Sequence, residues 1–384
     1  MTLHEDDRNR ERLTVVSTFS GCGGLDLGFI WEGYRILWAN DVDPEACETY
    51  KVNTKTDIVK LDMEYVDVDN VPRADVVIGG PPCQPFSMIG KRDPKDTRGI
   101  HIWEFAKLVE ALQPSAFLME NVTGLLSASA SDGSRVIDSV LAAFNDEKRM
   151  GYKTSASVLN AADYGVPQLR RRLFILGFKG DNALQFPEKT HLESPTGEYS
   201  KWVTVEEAIG DLPPPVDDGV GTIDYDKEPA SKFQKWARQG VARGEPAYNH
   251  WLPHMSELDK QIIKYVPVGG NYMDVPDHVP SVRIKKYKET GGRTTTYGRM
   301  RPDRPSYTLN TYFSRPNVGC NIHYKEDRLI TIREGLRLQS FKDDYRIPHT
   351  VTKRGQYKLV GNAVPPLLAQ ALAHSIKEQL ARMK

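Results

Sequence analysis

Cysteine is scarce in this chain. Cys22, Cys47, Cys83 and Cys320 are the only four in 384 residues, and no two form a C-x-x-C pair. That spacing argues against a disulfide framework and a cysteine-based zinc site, and it fits a reducing interior. Long apolar runs are missing too: no stretch approaches the ~20 residues that span a bilayer. The opening segment Glu5-Asp6-Asp7-Arg8-Asn9-Arg10-Glu11-Arg12 is charged and lacks the apolar core of a signal peptide. Net charge is absent as well. Lys plus Arg and Asp plus Glu both total 51, so affinity for a polyanion has to come from local charge. A soluble cytoplasmic protein without membrane contact is expected. Its length favours one large domain plus a smaller one.

What the chain does carry is concentrated in short segments. Ala74-Asp75-Val76-Val77-Ile78 has the length and β-branched content of a buried strand. Gly79-Gly80-Pro81-Pro82 stops it and leaves Cys83 in the turn beyond its carboxyl end. In open α/β sheets ligands bind at that edge, and proline stiffens such a turn. A thiol there is placed for attack, although a small buried cysteine capping a strand is an equal reading of the turn alone.

Upstream, Leu13–Phe19 is a β-rich run that ends in Ser20-Gly21-Cys22-Gly23-Gly24-Leu25. A strand, a glycine turn and an apolar helix start open a doubly wound nucleotide-binding fold. A second strand, Ile36–Asn40, ends in Asp41 about twenty residues on, the spacing at which a carboxylate meets ribose hydroxyls. Asp41 also suits a turn or helix cap. Asp62 plausibly ends a third strand, and Ala116–Met119 brings Glu120 to the end of another. A carboxyl group on the same edge as Cys83 is a candidate proton donor. Between them, Ser87 to Gly99 is a basic loop punctuated by Gly and Pro, of the kind that closes over a substrate.

Assembled, these segments closely resemble the cytosine-5 DNA methyltransferases of bacterial type. The resemblance rests on Thr18–Leu25, Gly79–Ser87, Glu120-Asn121-Val122, Gln168-Leu169-Arg170-Arg171-Arg172, Arg333–Phe341 and Gly361–Pro366, six motifs in the family's order. It implies transfer of a methyl group from S-adenosyl-L-methionine to carbon 5 of a flipped-out cytosine in duplex DNA, with S-adenosyl-L-homocysteine as product. The implied catalytic set is Cys83 as the nucleophile, Gln84 beside it, Glu120 at ring nitrogen 3, and Arg170 and Arg172. The implied cofactor set is Phe19, Ser20, Gly21, Gly23, Gly24 and Leu25 toward methionine, with Pro81 and with Asp41 at the ribose. Val42, Asp62 and Met63 would surround adenine, and Asn362 and Val364 would close the pocket. The base that removes the carbon-5 proton is not identified; water is one option.

Residues 179–298 match no general motif. Overlapping their end, 283–315 holds nine Lys or Arg against Glu289 and Asp303, an excess of seven interleaved with tyrosines. Such a patch suits phosphate contact and groove reading; a solvated basic loop is the plainer alternative. The DNA-contact candidates are Ser87, Lys91, Arg92, Arg98, Arg283, Lys285, Lys286, Arg293 and Arg299. His250 and His254 have metal-like spacing, but no clustered Cys or acid supports them, and no metal is expected.

The expected architecture is α/β: a Rossmann-like, mostly parallel sheet of the S-adenosylmethionine-dependent methyltransferase type, with a smaller target-recognition domain. Residues 13–185 form the catalytic domain, completed by 350–384 with an amphipathic terminal helix over 367–382. Residues 186–349 form the recognition domain, including a connecting helix near 331–341, and 1–12 is a flexible charged tail. The partners implied are double-stranded DNA and a restriction endonuclease acting separately on the same sequence, in a prokaryotic cell and at its nucleoid; a solitary role fits equally. Two other readings are a tRNA methyltransferase on this scaffold and a non-catalytic DNA-binding derivative. The middle region has no Cys-Phe-Thr tripeptide to support the first, and intact Cys83, Glu120, Arg170 and Arg172 oppose the second.

Overall fold

The computed structural model describes residues 12–82, 100–129, 133–180, 185–217 and 222–383. Two compact units divide the chain. One takes the described residues of 1–160, 171–188 and 368–384, and the other takes those of 161–170 and 189–367.

In the first unit, β1 (Thr14–Thr18), α1 (Gly24–Trp31), β2 (Arg35–Asp41), α2 (Pro44–Thr54) and β3 (Val59–Lys60) alternate. Then come β4 (Val76–Gly79), α3 (Ile100–Leu112), β5 (Ala116–Asn121), α4 (Val136–Asn145) and β6 (Tyr152–Asn160). The short β7 (Gln168–Leu169) lies in the second unit, and β8 (Arg171–Lys179) returns to the first. The seven-stranded sheet has the order β3-β2-β1-β4-β5-β8-β6. The five strands from β1 to β5 run parallel, and β8 is antiparallel to both β5 and β6. Val15, Val16, Val76, Val77 and Ile78 are all fully buried. That explains why these strands are continuous apolar runs: a parallel sheet is covered on both faces. The chain order reverses between β1 and β4, so their carboxyl ends flank a topological switch point.

The terminal helix Pro366–Arg382 packs on this unit through residues 368 onward. Gly28 of α1 lies so close to it that an added Cβ would sit 2.4 Å from the Ala369 Cβ, and Tyr34 Oη donates to the Ala373 carbonyl at 2.9 Å. The sequence placed the return at 350 and kept 161–170 with the cofactor domain. The compact units differ. The helix Lys353–Asn362 belongs to the second unit, where the Val360 carbonyl accepts a 2.7 Å bond from Gln339. Arg170 is bonded there to the carbonyls of Leu309 and Asn362.

Asp26, in the first turn of α1, is fully buried and takes a 2.8 Å hydrogen bond from Tyr50. Burial pushes its carboxyl up to about 6, partly offset by hydrogen bonds from Tyr50 and Ser17. A carboxyl raised in the folded state adds stability that is complete below its unfolded pKa and is lost as pH rises through the folded one. Asp26→Asn keeps an acceptor for Tyr50 and removes the ionisation. Its stability relative to wild type should therefore rise from pH 4 to pH 7 by roughly 3 kcal/mol. Urea unfolding at both pH values measures this; a pH-independent difference would contradict it.

The second unit is less regular. Its apolar core includes Ile262, Ile263, Val266, Tyr272, Ile284, Tyr297, Ile322 and Leu329. Around the helix Ile332–Leu338 it also buries charge. Glu334 closes a capping box with Thr331 and takes two 2.8 Å bonds from Arg328. Burial works against the Glu334 carboxylate, but Arg328 outweighs it and holds the group far below its usual range. Among the described residues, no helix is long and apolar enough to cross a membrane.

Candidate active site

The carboxyl edge of the sheet collects most of the residues singled out in the first unit. After β1 the chain turns through Phe19 at φ +50°, Gly21 at φ +56° and Gly23 at φ +87°. A left-handed phenylalanine is uncommon, and such strain gathers at functional sites. The Ser20 amide bonds to the Asn40 carbonyl at 2.9 Å, pinning the turn to β2. Asp41 ends β2, and its carboxylate takes the amides of Gly21 and Asp43, both at 2.8 Å. Asn40 Nδ2 reaches the carbonyls of Val59 and Leu61, which draws the Asp62 segment alongside. Gly23 caps α1 without a side-chain hydrogen bond, so the first-turn amides of Gly24 and Leu25 are not consumed by a capping side chain. Val42, beside Asp41, is 59 % exposed, while Met63 packs into the core.

On the other side of the switch point, the Pro81 carbonyl accepts a 3.1 Å bond from Asn121, which ties the turn after β4 to the end of β5. Glu120 lies there, 13 % exposed at its side chain, with Arg172 Nε 3.1 Å from its Oε1. Strand pairing explains the contact. Glu120 sits opposite Phe174 in the β5–β8 ladder, so Arg172, two residues away, projects from the same face. Sheet geometry thus pairs an acid and a guanidinium that are far apart in sequence. Cys83, Gln84, Ser87, Lys91, Arg92 and Arg98 lie outside the described residues; Pro82, just before Cys83, is the last described residue of this turn.

The sequence pattern of the C-5 cytosine-specific DNA methylases matches residues 13–378. The chain belongs to that family. It is 34 % identical over 368 residues to the Type II methyltransferase M.NgoFVII of Neisseria gonorrhoeae, covering 94 % of this chain and 86 % of that one. It is also 34 % identical over 382 residues to M.DdeI of Desulfomicrobium norvegicum, covering 95 % and 88 %. Among solved structures, the S. pombe Dnmt2 methyltransferase superposes with a TM-score of 0.58 at 18 % identity, covering 97 % of this chain and all of that one. At that identity the likeness shows the fold alone. As a C-5 methylase the chain is an S-adenosylmethionine-dependent methyltransferase whose substrate is DNA.

Three residues expected at the methylase site, Arg170, Asn362 and Val364, belong to the second unit. Arg170 is buried in the second unit, its guanidinium bonded to the Leu309 and Asn362 carbonyls at 3.2 and 3.3 Å. The sequence reading puts it in the catalytic set; in the structure these bonds tie together the frame of that unit. Gln168 does the same, bonding to the Leu338 carbonyl and the Leu309 amide. Asn362 and Val364 lie in the second unit, the former exposed and the latter buried. Arg299, an expected DNA contact, is built into the core of the second unit. It is 5 % exposed, and its guanidinium is held by the carbonyls of Val266, His323, Glu326 and Ile263 and by Asp327. With its donors engaged in the core, it does not reach for DNA.

Arg283, Lys285, Lys286 and Arg293 are exposed, the first three on the helix Val282–Thr290. Arg283 also donates to Tyr297 at 3.2 Å. Both ring nitrogens of His250 are engaged, by Thr331 and by the Pro213 carbonyl, as befits a packed core histidine. Burial pushes the Cys47 thiol up to about 11 and the Cys320 thiol up to about 12, consistent with structural roles. The sequence reading missed His101 and Glu104 on α3. His101 packs edge-on against Phe19 at 5.5 Å, and its Nδ1 is 2.9 Å from Glu104.

Proposed function

We propose that this methylase adds a methyl group to carbon 5 of a cytosine within a short recurring sequence of duplex DNA, through a covalent adduct with Cys83. The Glu120–Arg172 pair beside the turn that leads to Cys83 carries the reading: it offers a proton donor and a guanidinium where a pyrimidine's nitrogen 3 and exocyclic oxygen would need them.

Carbon 5 of cytosine is a poor nucleophile. Addition of the Cys83 thiolate to carbon 6 forms a C–S bond and places the ring's electron pair on the enamine carbon 5. Glu120 supplies a proton or hydrogen bond at nitrogen 3, and Arg172 holds the oxygen, so negative charge does not accumulate on the ring. When bound, S-adenosylmethionine would supply an electrophilic methyl group on its sulfonium, which carbon 5 would take with the enamine electron pair as the S–CH3 bond breaks to leave S-adenosylhomocysteine. A base then removes the carbon-5 proton, and the electron pair restores the double bond as the thiolate departs. The target atoms lie inside the helix, so the cytosine must leave the stack. Lys91, Arg92 and Arg98 are proposed to close over it.

The fit to the cofactor rests on the chain's own groups. The uncapped amides of α1 suit a carboxylate. The Asp41 carboxylate, held by the Gly21 and Asp43 amides at the carboxyl end of β2, is placed where a ribose diol would meet it. Val42 and Asp62 suit adenine. Arg283, Lys285, Lys286 and Arg293 are proposed to contact phosphates. A separate restriction endonuclease acting on the same sequence, and residence in the cytoplasm at the nucleoid, follow from the Type II relatives as proposals. The test is methyl transfer from labelled S-adenosylmethionine to mixed-sequence duplex, read by bisulfite sequencing. Protected cytosines in one recurring sequence are expected. Label on tRNA instead of DNA would overturn the substrate assignment.

A further inference from the structure

Asp26 stands in the first turn of α1, the turn whose uncapped amides are proposed to hold the cofactor's carboxylate. The mechanism above does not use it. Its side chain is fully buried. Oδ1 takes the 2.8 Å bond from Tyr50, while Oδ2 has no hydrogen-bond partner among the described residues. Tyr50, on α2, also packs beneath the glycine turn: a Cβ added at Gly23 would lie 3.1 Å from its ring. Ser17 from β1 and Asp41 from β2 face the same carboxyl. Tyr50 and Ser17 favour its charged form, Asp41 opposes it, and burial opposes it most.

The amino terminus of an α-helix offers only about half an elementary positive charge. Beside α1, the Asp41 carboxylate already takes the Gly21 amide. An ionised Asp26 would set a second anion inside the first turn, before the cofactor's carboxylate brings a third. A fully buried carboxylate oxygen without a donor is the costliest of these to keep charged. Asp26 is therefore the group that gives way by taking a proton, and once neutral it leaves the helix terminus to the ligand.

We propose that Asp26 takes up a proton when the cofactor's carboxylate docks at α1, so that cofactor affinity is coupled to pH. The inference rests on the cofactor assignment above. Asp26 is a positioning residue that acts through the field at the helix terminus. A ligand that raises a carboxyl's pKa binds most tightly while the free carboxyl is protonated. Its affinity falls as pH rises through the free value and levels off above the bound one. The free carboxyl lies at about 6, so a tenfold coupling places the fall between about pH 6 and pH 7.

Calorimetric binding of S-adenosylhomocysteine to the full chain, across this range and in buffers of different ionisation enthalpy, tests this. Relative to Asp26→Asn, wild type should lose about tenfold in affinity between about pH 5 and pH 8. It should also take up about half a proton near pH 6.5 that Asp26→Asn does not. The comparison cancels the ligand's own amino group, which titrates alike in both proteins. Tyr50→Phe removes a bond that favours the ionised form, so it should move proton uptake to higher pH; a side chain that merely packs would not. Should Asp26→Asn fail to fold, the Tyr50→Phe shift decides, and an unmoved uptake overturns the proposal. Equal pH dependence and equal uptake in wild type and Asp26→Asn, or proton release, would also overturn it and leave the cofactor reading standing. Failure of wild type to bind at any pH would overturn both.

Discussion

Glu120→Gln is expected to lower kcat by about 10²–10⁴-fold while S-adenosylhomocysteine binding stays at the wild-type level. The carboxylate ends β5, is largely covered, and pairs with Arg172 at 3.1 Å. Glutamine preserves the volume and can hydrogen-bond nitrogen 3, but it has no proton to give, and the charged pair with Arg172 is lost. The groups proposed for the cofactor, Asp41 and the glycine turn, lie on the far side of the switch point, on β1 and β2, so binding should be spared. Single-turnover methylation with saturating DNA, beside calorimetry for the product, separates the two. A kcat within about threefold of wild type would remove Glu120 from the proton-transfer role.

The largest expected effect on stability lies in the second unit. Arg337 is fully buried; it bonds to Asp343 at 2.6 and 2.5 Å, to Asp211 at 2.9 Å and to the Ala208 carbonyl at 2.7 Å. Tyr225 donates to Asp343 at 2.6 Å, and Arg238 and Arg333 approach the two acids only at 3.6 and 3.8 Å. Arg337→Met fills much of the volume but leaves two buried carboxylates short of their main cation. Removing one partner of a buried pair costs about 3–5 kcal/mol, because the remaining charge is not solvated. Burial alone would raise Asp343, yet Arg337 outweighs it and holds the carboxyl below its usual range. The stability this gives is present above the unfolded pKa and is lost as pH falls through the folded one. In Arg337→Met burial is no longer outweighed and raises the Asp343 carboxyl, so the sign reverses and the deficit relative to wild type should shrink as pH falls from 7 to 5. Urea titrations at pH 7 and pH 5 measure both effects; a variant within about 1 kcal/mol of wild type would show that the cluster is not a structural keystone.

The parts of this molecule that were legible in the sequence are those with local signals. A β-branched run followed by glycines marks β1 and its turn, and an apolar run ending in one acid marks β2 with Asp41 and β5 with Glu120. Long-range pairing has no such signal. Nothing near Arg172 announces that β8 runs antiparallel beside β5, which is what brings the guanidinium to Glu120. Charge counting misled for a related reason. Arg299 raised the basic count of 283–315, yet it is spent on four carbonyls and Asp327, and Arg301 is paired with Asp303. Composition cannot distinguish a buried guanidinium from one that faces solvent. The Arg333–Phe341 segment matched the family pattern without revealing why it carries charge; the structure shows Arg333, Glu334 and Arg337 buried among carbonyls and acids. His101 and Glu104 look like ordinary helix residues until α3 is set against the Phe19 turn.

The central claim is that a methyl group reaches cytosine through a covalent bond to Cys83, and trapping tests it most directly. In a duplex carrying 5-fluorocytosine at the mapped target, carbon 5 has no proton to lose after methylation, so the thiolate cannot be eliminated. Wild type incubated with this duplex and S-adenosylmethionine should form a protein–DNA species that survives denaturing electrophoresis, with a mass equal to chain plus methylated strand. Cys83→Ser should form none. Methylation of ordinary DNA by wild type without a trapped species on the fluorinated strand, or an undiminished adduct in Cys83→Ser, would contradict the account.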